Sequence, residues 1–211
     1  MAFKSTLLAV IASVFSTTAN ANTVNIDFED PSLTGQYFLD GEYFIESSFQ
    51  IGTAGTNGAA DIIAPPGSYT NGPNNGSAYL HSSIFSSIYI QSANSDIFSL
   101  LSLDLGEYSS FTNTESVTIT GYKNDGFQVS STFLLDLFFD GLGNNADFQL
   151  VQFDSSWSNL TRIEFDSGAY SLDNIQLEIN AVPVPAAVWL FGSGLIGLIG
   201  FQKRNSGLVK P

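Results

Sequence analysis

Ser116-Val117-Thr118-Ile119-Thr120-Gly121-Tyr122-Lys123-Asn124-Asp125-Gly126-Phe127 carries the clearest β signal in the chain. Hydroxyl side chains at 116, 118 and 120 alternate with Val117 and Ile119, so a strand here turns one face to water and the other to a core. Asp125-Gly126 then offers the positive φ that a tight hairpin turn needs, because glycine has no Cβ to clash in the left-handed region. A β-hairpin follows, its second arm starting at Phe127. The same period of two returns near the end of the acidic region in Ile175-Gln176-Leu177-Glu178-Ile179.

Working outward, no long 3.6-residue apolar period occurs from Thr23 to Ile179. Short runs rich in β-branched and aromatic residues recur instead, parted by Gly, Asn, Asp, Ser and Pro. The expected strands cover residues 23–28, 43–51, 84–90, 97–105, 115–122, 127–138, 148–153, 161–165 and 172–179. Nine strands without helical crossovers predict an all-β fold, two antiparallel sheets packed as a β-sandwich of the jelly-roll kind, with a barrel as the alternative. The Gly-, Pro- and Asn-rich breaks at 52–58 and 65–76 read as surface loops within one domain.

Charge narrows the partners. All 20 Asp and Glu lie between Asp27 and Glu178, where only Lys123 and Arg162 oppose them, so residues 22–181 carry a net charge of −18. Such a field repels nucleic acid and anionic lipid headgroups and favours cations or neutral partners. The chain has no cysteine, which excludes a disulfide framework, a thiolate metal site and a cysteine nucleophile. Eighteen Phe in the chain supply material for a core.

Both ends read as targeting segments. Residues 1–21 open with Lys4, run apolar from Leu7 to Phe15, and close on Ala19-Asn20-Ala21, the small-x-small site of a signal peptide that signal peptidase would cut before Asn22. Residues 22–181 are then the acidic β domain. Val182-Pro183-Val184-Pro185 ends the last strand, since proline lacks the amide donor of a sheet ladder. Residues 186–201 carry no charge and would span about 24 Å as a transmembrane helix, short of the ~30 Å hydrocarbon core. Lys203 and Arg204 follow as the membrane stop, so the positive-inside rule expects residues 205–211 to be a cytoplasmic tail and the domain to lie outside.

The segment Val182-Pro183-Val184-Pro185-Ala186 through Leu195, with Lys203-Arg204 behind it, resembles the PEP-CTERM sorting signal in its Val-Pro-Leu-Pro-Ala variant. Val184 stands where the Pro-Glu-Pro form has Glu, and seven residues trail the basic pair. The resemblance covers residues 182–204. It implies export across the inner membrane, transient anchoring with the domain outside, processing by an exosortase near the proline motif, and delivery to the cell surface or an exopolysaccharide-containing matrix. Exopolysaccharide is accordingly a partner that the resemblance implies.

A second resemblance, to sandwiches of the carbohydrate-binding-module type, rests on Ile26-Asp27-Phe28-Glu29-Asp30 and Ser171-Leu172-Asp173-Asn174-Ile175. In many such folds the first and last strands lie together and hold a structural calcium. Hard carboxylate oxygens suit that ion, and Asp27, Glu29, Asp30 and Asp173 are its candidate ligands, the alternative being solvated strand-end acids. The loop from Asp140 to Asp147 is a second candidate.

Catalytic residues are scarce. His81 is the one histidine, and no Gly-x-Ser-x-Gly elbow accompanies it, so a Ser-His-acid triad is not expected. A hydrogen-bonded or exposed strand-end histidine is the expectation, and no catalytic residue is nominated. Stacking on sugars needs exposed aromatic faces, for which Tyr37, Tyr43, Tyr69, Tyr79, Tyr108 and Trp157 are available, with Tyr69 the foremost exposed candidate and Trp157 read as plugging a sandwich edge. The expected function is that of a non-catalytic envelope or matrix protein. A secreted glycan-active enzyme (glycosidase or lyase) or an adhesin is the alternative.

Overall fold

The strand read from residue 116 runs Ser116–Lys123 and returns as Gln128–Leu134, with Gln128 opposite Tyr122 and Leu134 opposite Ser116. The amides of Gly126 and Lys123 donate to the carbonyls of Lys123 and Phe127, at 3.0 and 2.9 Å, and Gly126 sits at φ +86°. This computed structural model describes residues 22–180 apart from 40, 55–59, 66–70, 84–86, 112 and 142. The described strands are β1 (Asn22–Ile26), β2 (Tyr37–Leu39), β3 (Tyr43–Glu46), β4 (Phe49–Thr53), β5 (Ala60–Ala64), β6 (Tyr79–Ser82), β7 (Ile88–Ser92), β8 (Phe98–Glu107), β9 (Ser116–Lys123), β10 (Gln128–Leu134), β11 (Phe148–Gln152), β12 (Leu160–Phe165) and β13 (Tyr170–Ile179), with one 3-10 turn at Ser155–Trp157.

Every pairing is antiparallel, and the thirteen strands form one continuous sheet that curls nearly into a barrel, so that two stretches of it face each other as layers. The first runs β2-β5-β6-β13-β8-β11, with β1 lying on β13 beyond β6. The second runs β3-β4-β7-β12-β9-β10. A single bridge, Leu160 opposite Phe98, joins them. The inward residues meet across the gap: Phe49 of β4 packs on Phe98 of β8 with ring centres 5.2 Å apart, and Phe38 of β2 on Phe44 of β3 at 4.7 Å. Each such ring or branched aliphatic group removed from water stabilises the fold by about 1.5–3 kcal/mol. Because β2 and β3 are consecutive, as are β10 and β11, the chain crosses from one layer to the other at both open edges of the curled sheet.

The all-β, antiparallel expectation describes this structure, while several strand limits need correction. Residues 43–51 are a hairpin rather than one strand. Ser47 and Ser48 turn it at φ 49° and 68°, positions where glycine or asparagine would have marked the turn, so the sequence carried no signal. The strand expected at 127–138 stops at Leu134. The short strands β2, β5 and β6 were not foreseen, and Gly52 and Thr53, assigned to a loop, belong to β4. The signal segment 1–21, the proline motif, the helix at 186–201 and the tail 205–211 lie outside the described residues. Among the described residues no helix is long and apolar enough to cross a membrane.

Trp157 is 3% exposed and packs on Phe153 with ring centres 4.7 Å apart. Asp154 caps the short turn that carries it, its carboxylate accepting from the Ser156 amide at 2.8 Å. Gly121 leaves room beside the indole: a Cβ there would lie 2.9 Å from Leu160 and 3.3 Å from the ring.

Candidate functional site

The period of two places Phe38 and Phe44 inward on β2 and β3, so Tyr37, Leu39, Tyr43 and Ile45 point outward. Tyr37 and Tyr43 are 64% and 55% exposed, an unusual state for large rings. Where the chain crosses between the layers they flank an open groove of about 520 Å³, lined by Gln36, Tyr37, Phe38, Gly41, Glu42 and Tyr43. Its floor is tied down. Thr53 of β4 donates from its amide to the Glu42 carbonyl at 3.1 Å and from its hydroxyl to the Leu39 carbonyl at 2.5 Å, and Glu42 Oε2 accepts from the Leu39 amide at 2.8 Å. Gly41, at φ +83°, permits the turn. The groove therefore presents two aromatic faces beside an amide and a carboxylate, the combination that stacks on the C–H face of a sugar and bonds its hydroxyls.

The other aromatic candidates are placed elsewhere. Tyr79 and Trp157 are buried, and Tyr108 stacks on His81 with ring centres 3.7 Å apart. Tyr69 lies outside the described residues.

His81 is buried on β6, and burial lowers its pKa to about 4. Its Nδ1 lies 3.1 Å from the Ser171 hydroxyl, which donates to the Glu107 carbonyl at 3.1 Å. With the hydroxyl proton so engaged, Nδ1 must be the donor to Ser171. That polarity is the reverse of a histidine base activating a serine. The imidazole serves as a neutral core group linking β6, β13 and β8.

The first and last strands do meet, Ile26 opposite Ile175. The four acids proposed there are each held separately. Glu29 accepts from the Ala78 amide at 2.7 Å, Asp27 from the Glu29 amide at 3.3 Å, and Asp30 from the Ser32 amide at 2.8 Å. Asp173 is wholly buried; its carboxylate accepts from Asn75 Nδ2 at 2.6 Å, Ser77 Oγ at 2.7 Å and the Asn174 amide at 2.7 Å. Burial, against these hydrogen bonds, raises its pKa to about 6. Glu46 accepts from the Asp27 and Phe28 amides, both at 3.0 Å, and burial raises it to about 7.

Among the described residues, the three carboxylates whose oxygens come within 4.8 Å of one another are Glu107, Asp136 and Asp147. Asp147 is pushed up to about 7, first by burial, then by Asp140 and by the charges of Glu107 and Asp136. The Asp140–Asp147 loop was visible in sequence. Glu107, at the end of β8, and Asp136, beyond β10, were not, because only folding brings them to that loop. An all-oxygen set fits a hard divalent cation. Both Glu107 oxygens already accept backbone amides, from Leu137 and Asp147 at 3.2 Å each, which gives the cluster a structural role without an ion.

No protein-family model matches the chain, and no curated protein does. Among solved structures the chain is similar to the K2 cleaved adhesin domain of Lys-gingipain, at 15% identity over 74% of this chain and 97% of that one, TM-score 0.45. It is also similar to a family 29 carbohydrate-binding module, at 12% identity over 68% and 88%, TM-score 0.35. A DUF4465 family protein from Bacteroides ovatus matches at 11% identity over 75% and 99%, TM-score 0.39.

Proposed function

We propose that this protein is an exported, non-catalytic envelope or matrix protein whose β domain binds polysaccharide through the groove at the β2–β3 crossing. The observation that carries this reading is the pair of largely exposed rings, Tyr37 and Tyr43, beside Gln36 and Glu42 in an open groove. Exposed tyrosines hold apolar area in water at a free-energy cost that a stacking sugar ring would relieve. Supporting the non-catalytic part, the histidine is used up in the core.

In this reading signal peptidase removes residues 1–21, the helix at 186–201 anchors the chain in the membrane with the domain outside, and an exosortase acts at Val182-Pro183-Val184-Pro185-Ala186 before delivery to the surface or an exopolysaccharide matrix. The support is the order of proline motif, uncharged segment and Lys203-Arg204 in the sequence. Pull-down with the native host's exopolysaccharide tests the domain: binding without release of soluble sugars is expected, and Tyr37→Ala or Tyr43→Ala should each weaken it about tenfold, the 1.4 kcal/mol scale of a buried aromatic contact. Turnover would make the protein an enzyme, and absence of binding would remove the glycan reading. For sorting, Pro183→Ala with Pro185→Ala should impair processing in the host, and unchanged processing would sink the exosortase assignment.

A further inference from the structure

In a domain of net charge −18, the whole outward face of the second layer is kept electrically neutral. Across β3, β4, β7, β12, β9 and β10 the outward positions carry Tyr, Ile, Gln, Gly, Thr and Ser, with one Leu, one carboxylate (Glu164) and one guanidinium (Arg162). Those two charges cancel in an ion pair of 2.5 Å, leaving the side chains 33% and 28% exposed. Among the described residues the other acids lie off this face or at its ends. A face without net charge in so acidic a domain has no solubility rationale, and it is complementary to an uncharged partner.

The face is also rigid. Tyr122 donates its hydroxyl proton to Glu164 Oε2 at 2.7 Å; Arg162 donates to Glu164 Oε1 at 2.6 Å and to Gln91 Oε1 at 3.1 Å. Gln91 donates to Gln50 Oε1 at 3.3 Å, and Gln50 to the Tyr89 hydroxyl at 2.6 Å. The Arg162 guanidinium then stacks on the Tyr89 ring at 4.0 Å, closing the chain into a loop. Gly52 makes the arrangement possible, since a Cβ there would lie 2.4 Å from Tyr89 Cζ. The ring thus lies across β4 toward Tyr43, which pairs with Gly52.

We infer that this face extends the groove into a flat platform for a neutral oligosaccharide chain, lying across the strands from Tyr43 over Tyr89 and Arg162 toward Tyr122. The inference rests on the groove reading above. From β3 to β12 the platform spans three interstrand spacings, about 14 Å, which is more than one sugar ring covers. Planar rings, a stacked guanidinium and amide groups held in place before a ligand arrives suit a repetitive polyhydroxylated chain, because little side-chain entropy is lost on binding. The surrounding negative field disfavours uronate polymers.

The test is calorimetric titration of the full-length protein with cellobiose, cellohexaose, mannohexaose and polygalacturonate, with folding of each variant followed by circular dichroism. At least one hexaose should bind tenfold or more tightly than the disaccharide, with polygalacturonate weakest. Gln50→Ala, Gln91→Ala and Arg162→Gln should collapse the hexaose-to-disaccharide affinity ratio, whereas Tyr37→Ala should weaken both lengths together. If Arg162→Gln fails to fold, the two glutamine variants decide. Affinity independent of chain length, a ratio preserved in the platform variants, or preferred binding of polygalacturonate overturns the platform while leaving the groove. Absence of binding to every neutral oligosaccharide overturns both.

Discussion

Truncating Trp157 separates the core of this domain from its candidate ligand surface. The indole belongs to an aromatic residue of the kind that stacks on sugars, yet it is 3% exposed, packed on Phe153 and seated beside Gly121. A buried tryptophan removes roughly 150–250 Å² from water. At about 25 cal/mol per Å² that is ~4–6 kcal/mol of transfer free energy, an upper bound close to the ~3–5 kcal/mol typical of Phe or Trp truncations in cores. Trp157→Ala should therefore cost about 3–5 kcal/mol, a large share of the roughly 5–15 kcal/mol that holds a domain folded. With ~2–4 °C lost per kcal/mol in a domain of this size, Tm should fall by roughly 6–20 °C. Urea unfolding followed by circular dichroism is the assay, with the midpoint displaced and the slope unchanged. Oligosaccharide affinity measured below the new transition should stay at the wild-type value. A loss under about 1 kcal/mol, or weakened binding at unchanged stability, would refute the assignment of Trp157 to the core.

Three further expectations follow from the same geometry. Glu46 and Asp147 are pushed up to about 7 and Asp173 to about 6, so the folded state holds protons that the unfolded chain has released above pH ~4.5. Stability contributed by these three groups falls as pH rises from about 4.5 to 7; His81, lowered to about 4, acts in the opposite sense up to its unfolded value of 6.5. Three groups against one predict a lower Tm at pH 7 than at pH 5, and a Tm that climbs over that interval in thermal scans would contradict the burial of these carboxyls. Asp147→Asn removes one charge from the group it forms with Glu107, Asp136 and Asp140, so in chelator at pH 8 its Tm should exceed wild type; a decrease would mean the crowding is not repulsive. Gly52→Ala forces the Tyr89 ring off β4, breaking the Gln50 hydrogen bond and the Arg162 stack, and should cost about 1–2.5 kcal/mol by urea unfolding, with a neutral result showing that the ring has room to spare.

Elements whose reading depends on neighbours in sequence were legible: the hairpin around Gly126, the alternating arms that became β9 and the second half of β13, and an antiparallel all-β class. What escaped were elements whose signal is not local. Ser47 and Ser48 adopt left-handed φ without being glycine, because the strands they join are held by Phe44 and Phe49 in the core, and tertiary packing offsets the local strain. Strands β2, β5 and β6 have three to five residues each, too few for a period to register.

Acidic charge, the lack of cysteine chemistry and the strand-forming pattern are fixed by composition and by residues adjacent in the chain, and the two ends raise from the same kind of local signal the expectation of export and sorting. Only the tertiary structure decided which aromatics face water, which carboxylates meet, and that one sheet face is neutral. A strand's alternation says that one side is dry without saying which other strands lie beside it. Glu164 could be matched with Arg162 two residues away, but Tyr122, Gln91, Gln50 and Tyr89 join that network only through pairing of β9, β12, β7 and β4, by contacts between residues as far apart in the chain as Tyr89 and Arg162.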